Sequence, residues 1–107
     1  MENKKSRGFE HRKLQVIASN YNYSLRRIKA IKSSGVTSQS MIAILKQYED
    51  YVFHIDEVCK NFNLLERTIL DREYFSPFPK YWWNDIYPRS TFYRLRLNTS
   101  KRFLELF

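Results

Sequence analysis

From Phe9 the apolar positions Phe9, Leu14, Ile17, Tyr21, Leu25, Ile28 and Ile31 return mostly every three or four residues, the period of one helix face. Asn20, Asn22 and Ser24, weak helix formers, stand in the middle of that run. The spacing predicts either one long helix from about Phe9 to Ser34 or two helices broken near Asn22. Gly35, which closes "SSG", suits the left-handed residue that ends a helix. Thr37 and Ser38 then offer N-caps to a second stripe of Met41, Leu45, Tyr48, Val52, Ile55, Cys59 and Phe62, stepping by four and three. Glu49, Asp50, Asp56 and Glu57 lie off that stripe. The pattern predicts an amphipathic helix of about 24 residues. It packs most simply on the first helix as a hairpin, with a homodimer through residues 41–62 as the alternative.

Asn63 with Glu66 three residues on has the form of a capping box and opens a helix from Leu64 to about Phe75. "SPFP", residues 76–79, stops it and predicts a further short helix, with Ser76 as cap and Pro77 in the first turn, carrying Phe78, Trp82, Trp83 and Ile86. Pro88 takes Tyr87 out of helical geometry, and the last helix runs from Arg89. Wound at about 100° per residue, that helix puts Phe92, Leu95, Thr99, Phe103 and Leu106 on one stripe. Ser90, Thr91, Arg94, Asn98, Lys101 and Arg102 fall on the remaining arc, while Arg96 falls among the apolar positions and must snorkel or find a partner. The expected architecture is all-α: a helical hairpin over 8–60 and a helix-turn-helix over 61–107, forming one compact unit behind a flexible basic tail of residues 1–7. Two glycines and three prolines leave little for the tight turns of a β sandwich.

Charge adds a direction to this outline. The net charge is +8, and it is unevenly spread: residues 1–35 carry nine basic and two acidic side chains, residues 36–75 four and seven, residues 76–107 six and two. Two basic ends around an acidic middle suggest a face that attracts polyanions, although such charge also serves solubility alone. An abundance of Lys, Asn, Ile, Phe and Tyr matches an AT-rich genome and warns against reading each of them as functional. No run approaches the roughly 20 apolar residues of a membrane span, and the basic N-terminus has no apolar stretch behind it, so neither a membrane nor a secretory signal is expected. Cys59, the one cysteine, points to a reduced, cytoplasmic setting.

Candidate chemistry concentrates in "YPRSTFYRLR", residues 87–96. A helix start offers free amides and its positive dipole end to phosphate. Ser90 and Thr91 can donate to phosphates or bases, and Arg89 and Arg94 can reach a major groove, where a guanidinium binds guanine through two bonds. Lys80 and Lys101 are placed to hold the backbone. Arg26, Arg27, Lys29 and Lys32, with the N-terminal Lys4, Lys5, Arg7, Arg12 and Lys13, form a second basic patch that is either a phosphate surface or composition. Trp82 and Trp83 read as core side chains that hold a short scaffold helix.

"RSTFYRLR", followed by a basic stretch and "FLELF", resembles the final helix of sigma-factor region 4-like domains and of ArpU-type phage transcriptional regulators. "NLLERTILDREYF" sits where such domains place their first helix. The likeness covers residues 61–107, and the "WW…Y…RSTFYR" pattern is also similar to small conserved mollicute proteins. It implies a transcriptional regulator whose Arg89, Ser90, Thr91 and Arg94 face double-stranded DNA; RNA polymerase is the partner expected of the alternative, an interaction module that keeps the fold. The chain departs from the family at Pro88, where a capping Ser or Thr is usual, and in the short segment from Trp82 to Pro88.

Catalysis and cofactors are not expected. His11, His54 and Cys59 lack the spacing of a metal site, two isolated glycines make no phosphate loop, and the acidic pairs Asp56–Glu57 and Asp71–Glu73 do not converge. Three readings follow: a DNA-binding regulator, an interaction module of the transcription machinery that keeps the fold, and an RNA-associated basic protein. Exposed aromatics able to stack on bases would favour the last.

Overall fold

The computed structural model describes residues 8–35 and 38–107. The tail 1–7 and the Thr37 cap lie outside them. The described chain is all-α, with four helices and no strand: α1 Phe9–Ser33, α2 Gln39–Cys59, α3 Leu64–Leu70 and α4 Arg89–Leu106. α1 and α2 form the long N-terminal hairpin.

α1 is unbroken, because its weak helix formers are engaged elsewhere. Asn22 donates its side-chain amide to the carbonyl of Phe75 at 2.9 Å. Ser24, buried, donates to the carbonyl of Asn20 at 2.8 Å, a back-bond that keeps its hydroxyl satisfied inside the helix. Gly35 takes the left-handed conformation at φ 74°. Ser38 caps α2, its hydroxyl accepting from the Met41 amide at 3.2 Å. α2 ends at Cys59, earlier than its stripe suggests. Lys60, Asn61 and Phe62 instead bond back three residues, to Glu57, Val58 and Cys59, and this tighter turn still buries Phe62. The Asn63–Glu66 capping box is closed at 2.8 and 3.0 Å.

α3 widens in its last turn, Asp71–Phe75, into a π-helical turn in which the Ser76 amide reaches back five residues to Asp71 at 2.7 Å. The extra residue per turn lets the adjacent Tyr74 and Phe75 both face inward. Tyr74 meets His11 and Ser100, and Phe75 meets Tyr21 edge-on. The short helix expected over residues 77–86 is not formed. Residues 76–88 are a chain of turns, with bonds from Trp82 to Pro79, Asn84 to Tyr81 and Ile86 to Trp83. Tyr81 at φ 66° interrupts any right-handed helix there, and Trp83 dives beneath the loop.

Two apolar clusters hold these parts. The first takes Leu14, Ile17, Ala18, Ile55, Val58, Phe62, Leu70, Tyr74 and Phe103 from every helix, so the hairpin and the C-terminal half share one core. The second is Ile69, Trp83 and Phe92, ringed by Trp82, Tyr87, Tyr93 and Leu95, and it fixes the loop against the start of α4. Neither cluster includes a residue between Tyr21 and Tyr51. The molecule is accordingly extended, 52 × 35 × 22 Å with a radius of gyration of 16.5 Å, against roughly 13 Å for a round chain of this length.

A polar chain crosses the first core. Ser100 donates to the Arg96 carbonyl at 2.7 Å, Tyr74 bonds Ser100 at 2.9 Å, and His11 Nδ1 bonds Tyr74 at 2.7 Å. Burial pushes the Tyr74 phenol up to about 12. Burial, reinforced by the Arg96 guanidinium and opposed by Glu73, holds the His11 imidazole below its ordinary 6.5. The unfolded chain therefore takes up a proton at higher pH than the native one. The stability contributed by neutral His11 is complete above 6.5 and is lost as pH falls from there through the depressed native value. Thermal melts across that window should show a steeper decline for the wild type than for His11→Gln, and parallel curves would remove His11 from the pH response.

Candidate nucleic-acid interface

Pro88 sets the entry to α4. Its φ of −59° already matches a helix start, its carbonyl accepts from the Phe92 amide at 3.0 Å, and no side chain caps the helix. The first turn therefore keeps its amides and dipole end open. Arg89, Ser90 and Arg94 are exposed and Thr91 is half-buried.

The cations of α4 divide by direction. Arg96 and Arg102 turn toward the body of the protein and are neutralised. Arg96 pairs with Glu73 at 3.2 Å and lies over the Tyr93 ring. Arg102 pairs with Glu66 at 3.2 Å and donates to the Asn61 carbonyl at 2.6 Å. Arg94 and Lys101, seven residues apart, share the outer stripe with Ser90, Leu97 and Asn98, and among the described residues neither has a partner. Arg89 lies 5.7 Å from the centre of the Tyr93 ring. Of the expected site residues, Ser90, Arg94 and Lys101 thus share one side of α4, Arg89 points away toward Tyr93 and Lys80 lies on the preceding loop, while the snorkelling problem of Arg96 is solved by Glu73.

The preceding loop and the π-helical turn bring together side chains that the sequence did not read as one site. The Arg72 guanidinium lies 4.5 Å from the Phe78 ring and 5.2 Å from Trp82. Trp82 donates its indole N–H to Glu73 at 2.8 Å, on the carboxylate that also holds Arg96. Trp83 is buried and stacks on Phe92 at 4.5 Å with 7° between planes. Phe78 and Tyr81 remain 46% and 52% exposed. Lys80, on the same loop, holds its ammonium 5.3 Å from the Tyr81 ring. The signal was the interleaving of "SPFPKYWW", which reads equally as scaffold helix.

In the second basic patch, Lys4, Lys5 and Arg7 lie outside the described residues, and the members on α1 differ in their surroundings. Lys32 is paired with Glu49 of α2 at 3.1 Å, and Arg27 is half-buried with its Nε unsatisfied. Arg26 lies over Tyr23 and lines a cleft with Gln15, Ser19, Glu73 and Pro77, while Lys29 is exposed. A larger cleft of about 760 Å³ opens between α1, α2 and α3. In it Tyr21 donates to Asp56 at 2.8 Å, and burial first, then Asp56, pushes that phenol up to about 12. Cys59 also lines it, and burial pushes its thiol up, away from the thiolate that reactivity requires. Among the described residues, no three His, Cys, Asp or Glu side chains converge as a metal ion needs, and no helix is long and apolar enough to cross a membrane.

Fold and site together define a small all-α protein that presents a cationic helix face beside an aromatic loop. Comparison with family models, with curated proteins and with solved structures finds no match to this chain.

Proposed function

We propose that this chain is a DNA-binding protein, of the regulatory kind that the region 4-like resemblance implies, and that it lays the outer face of α4 on double-stranded DNA. Arg89, Ser90, Thr91 and Arg94 enter or flank the major groove, and Lys80 and Lys101 meet the phosphates. One observation carries the reading. On the same helix the inward cations are neutralised by Glu73 and Glu66, whereas the outward Arg94 and Lys101 have no partner among the described residues. Cations left open on one face are what a phosphate backbone requires.

Anisotropy titrations of a randomised duplex pool over a salt series test this. Each neutralised phosphate contributes about 0.9 to the slope of log affinity against log salt. Arg94→Ala/Lys101→Ala should therefore flatten the wild-type slope by about two if both meet phosphate. In a selected sequence, Arg94→Ala alone should cost about 1–3 kcal/mol if its guanidinium reads a base. An unchanged slope in the double variant would take the interface away from α4.

A further inference from the structure

The geometry points to a second element of recognition: we propose that the loop of residues 76–88 is a stacking platform for unpaired bases. On that proposal the ligand this chain holds best is a duplex with a single-stranded flank. It rests on the reading of α4 as the duplex-binding element and adds the neighbouring loop to it.

The loop is fixed by three of its aromatics, Trp82, Trp83 and Tyr87, and displays Phe78 and Tyr81. Trp83 is buried against Phe92, and Trp82 is tied to Glu73 and meets Phe92 edge-on. Those anchors leave Phe78 and Tyr81 about half exposed. Tyr81 is the informative one. Its φ of 66° is a conformation that glycine or asparagine takes at little cost and an aromatic residue does not. A turn alone would call for one of those residues, and an edge-on contact with Trp83 at 5.8 Å still leaves the ring 52% in solvent. Strain held at an exposed side chain is a mark of use rather than of packing.

Each displayed ring has a cation beside it, Arg72 at Phe78 and Lys80 at Tyr81. Open rings alternating with cations are what binders of single strands combine, the rings taking base faces and the cations the backbone. Inside a duplex those base faces are covered by their neighbours, so the platform is selective for unpaired nucleotides. Glu73 beneath this cluster is occupied by Arg96 and Trp82, and the loop's own acidic side chain is Asp85. Pro88 joins the loop directly to α4, and Arg89 and Arg96 flank Tyr93 at the junction. A strand leaving the duplex on α4 therefore has the rings beside it.

The test compares, by anisotropy at one salt concentration, a blunt duplex with the same duplex carrying an overhang of about eight nucleotides, within the span a small domain covers. Wild type should prefer the overhang by about tenfold, the lower range for one or two stacked bases. Phe78→Ala/Tyr81→Ala should lose that preference while binding the blunt duplex as wild type does. Tyr81→Gly, which relieves the positive-φ backbone, should keep the loop fold and lose part of the preference, which separates stacking from misfolding. Equal affinity for blunt and overhung duplex in wild type, or a preference that survives in the double variant, overturns the platform and leaves α4 as the duplex element. Binding of the overhang that Arg94→Ala/Lys101→Ala does not weaken, with no binding of the blunt duplex, sinks the duplex reading and keeps the platform. No binding of either removes both.

Discussion

Phe92→Ala is expected to cost about 3 kcal/mol, the lower end of the range for truncating a buried Phe, and to free the loop of residues 76–88. Phe92 is fully buried. Its ring stacks on Trp83 at 4.5 Å, meets the edge of Trp82 at 5.6 Å and lies 6.1 Å from Tyr87. The second cluster has only two other buried members, Ile69 and Trp83, so its loss leaves Trp83 facing a void. The adjoining segment is a loop rather than a packed helix and can settle into part of that void, which is why the lower end applies. Urea unfolding should give a lower midpoint with an unchanged slope. Native-state hydrogen exchange should lose protection at the Trp82, Asn84 and Ile86 amides before it does so in α1 and α2. Against a total of about 5–15 kcal/mol for a domain, the variant stays folded but presents α4 on a mobile support. A cost below about 1 kcal/mol, with exchange unchanged, would show that this cluster does not hold the loop.

What the sequence disclosed and what it hid divide along chain distance. The caps at Ser38 and at Asn63 with Glu66 were legible because both bonds close within three residues. The continuity of α1 was not. Asn22 and Ser24 argue for a break by propensity, and the decisive partner of Asn22 is the Phe75 carbonyl, 53 residues away. The π-helical turn hid for a related reason: a 3.6-residue period has no slot for Tyr74 and Phe75 facing the same way. The aromatic run at 78–83 mimics a helix stripe, yet its anchors are Phe92 and Glu73, outside any local window.

The same rule applies to the site. Winding alone puts Ser90, Arg94 and Lys101 outward, and their exposure needs no distant partner. That Arg96 and Arg102 are neutralised depends on Glu73 and Glu66, 23 and 36 residues earlier. Arg26, Arg27, Lys29 and Lys32 look like a patch when written in a line. On the helix Arg26, Lys29 and Lys32, three apart, share one side while Arg27 turns about 100° from Arg26, and α2 claims Lys32 through Glu49.

Glu73→Ala is expected to cost about 2–3 kcal/mol, somewhat less than breaking a fully buried ion pair, because the Glu73 and Arg96 side chains keep 14% and 24% of their exposure. One carboxylate serves two donors, the Trp82 indole at 2.8 Å and the Arg96 guanidinium at 3.2 Å. Its loss leaves Trp82 without an acceptor and Arg96 with no counter-charge, on a Tyr93 ring that Arg89 also approaches. Glu73→Gln keeps a carbonyl for one donor and turns its amide toward the other, so its cost should fall between wild type and alanine. DNA affinity should move in the opposite sense to stability. Freeing Arg96 adds a cation next to the proposed face, so Glu73→Ala should keep the salt slope of wild type or steepen it while unfolding at lower urea. Equal costs for the glutamine and alanine variants would assign the whole effect to charge rather than to the shared hydrogen bonds. A salt slope that falls with Glu73→Ala would mean that Arg96 positions the interface rather than adding to it.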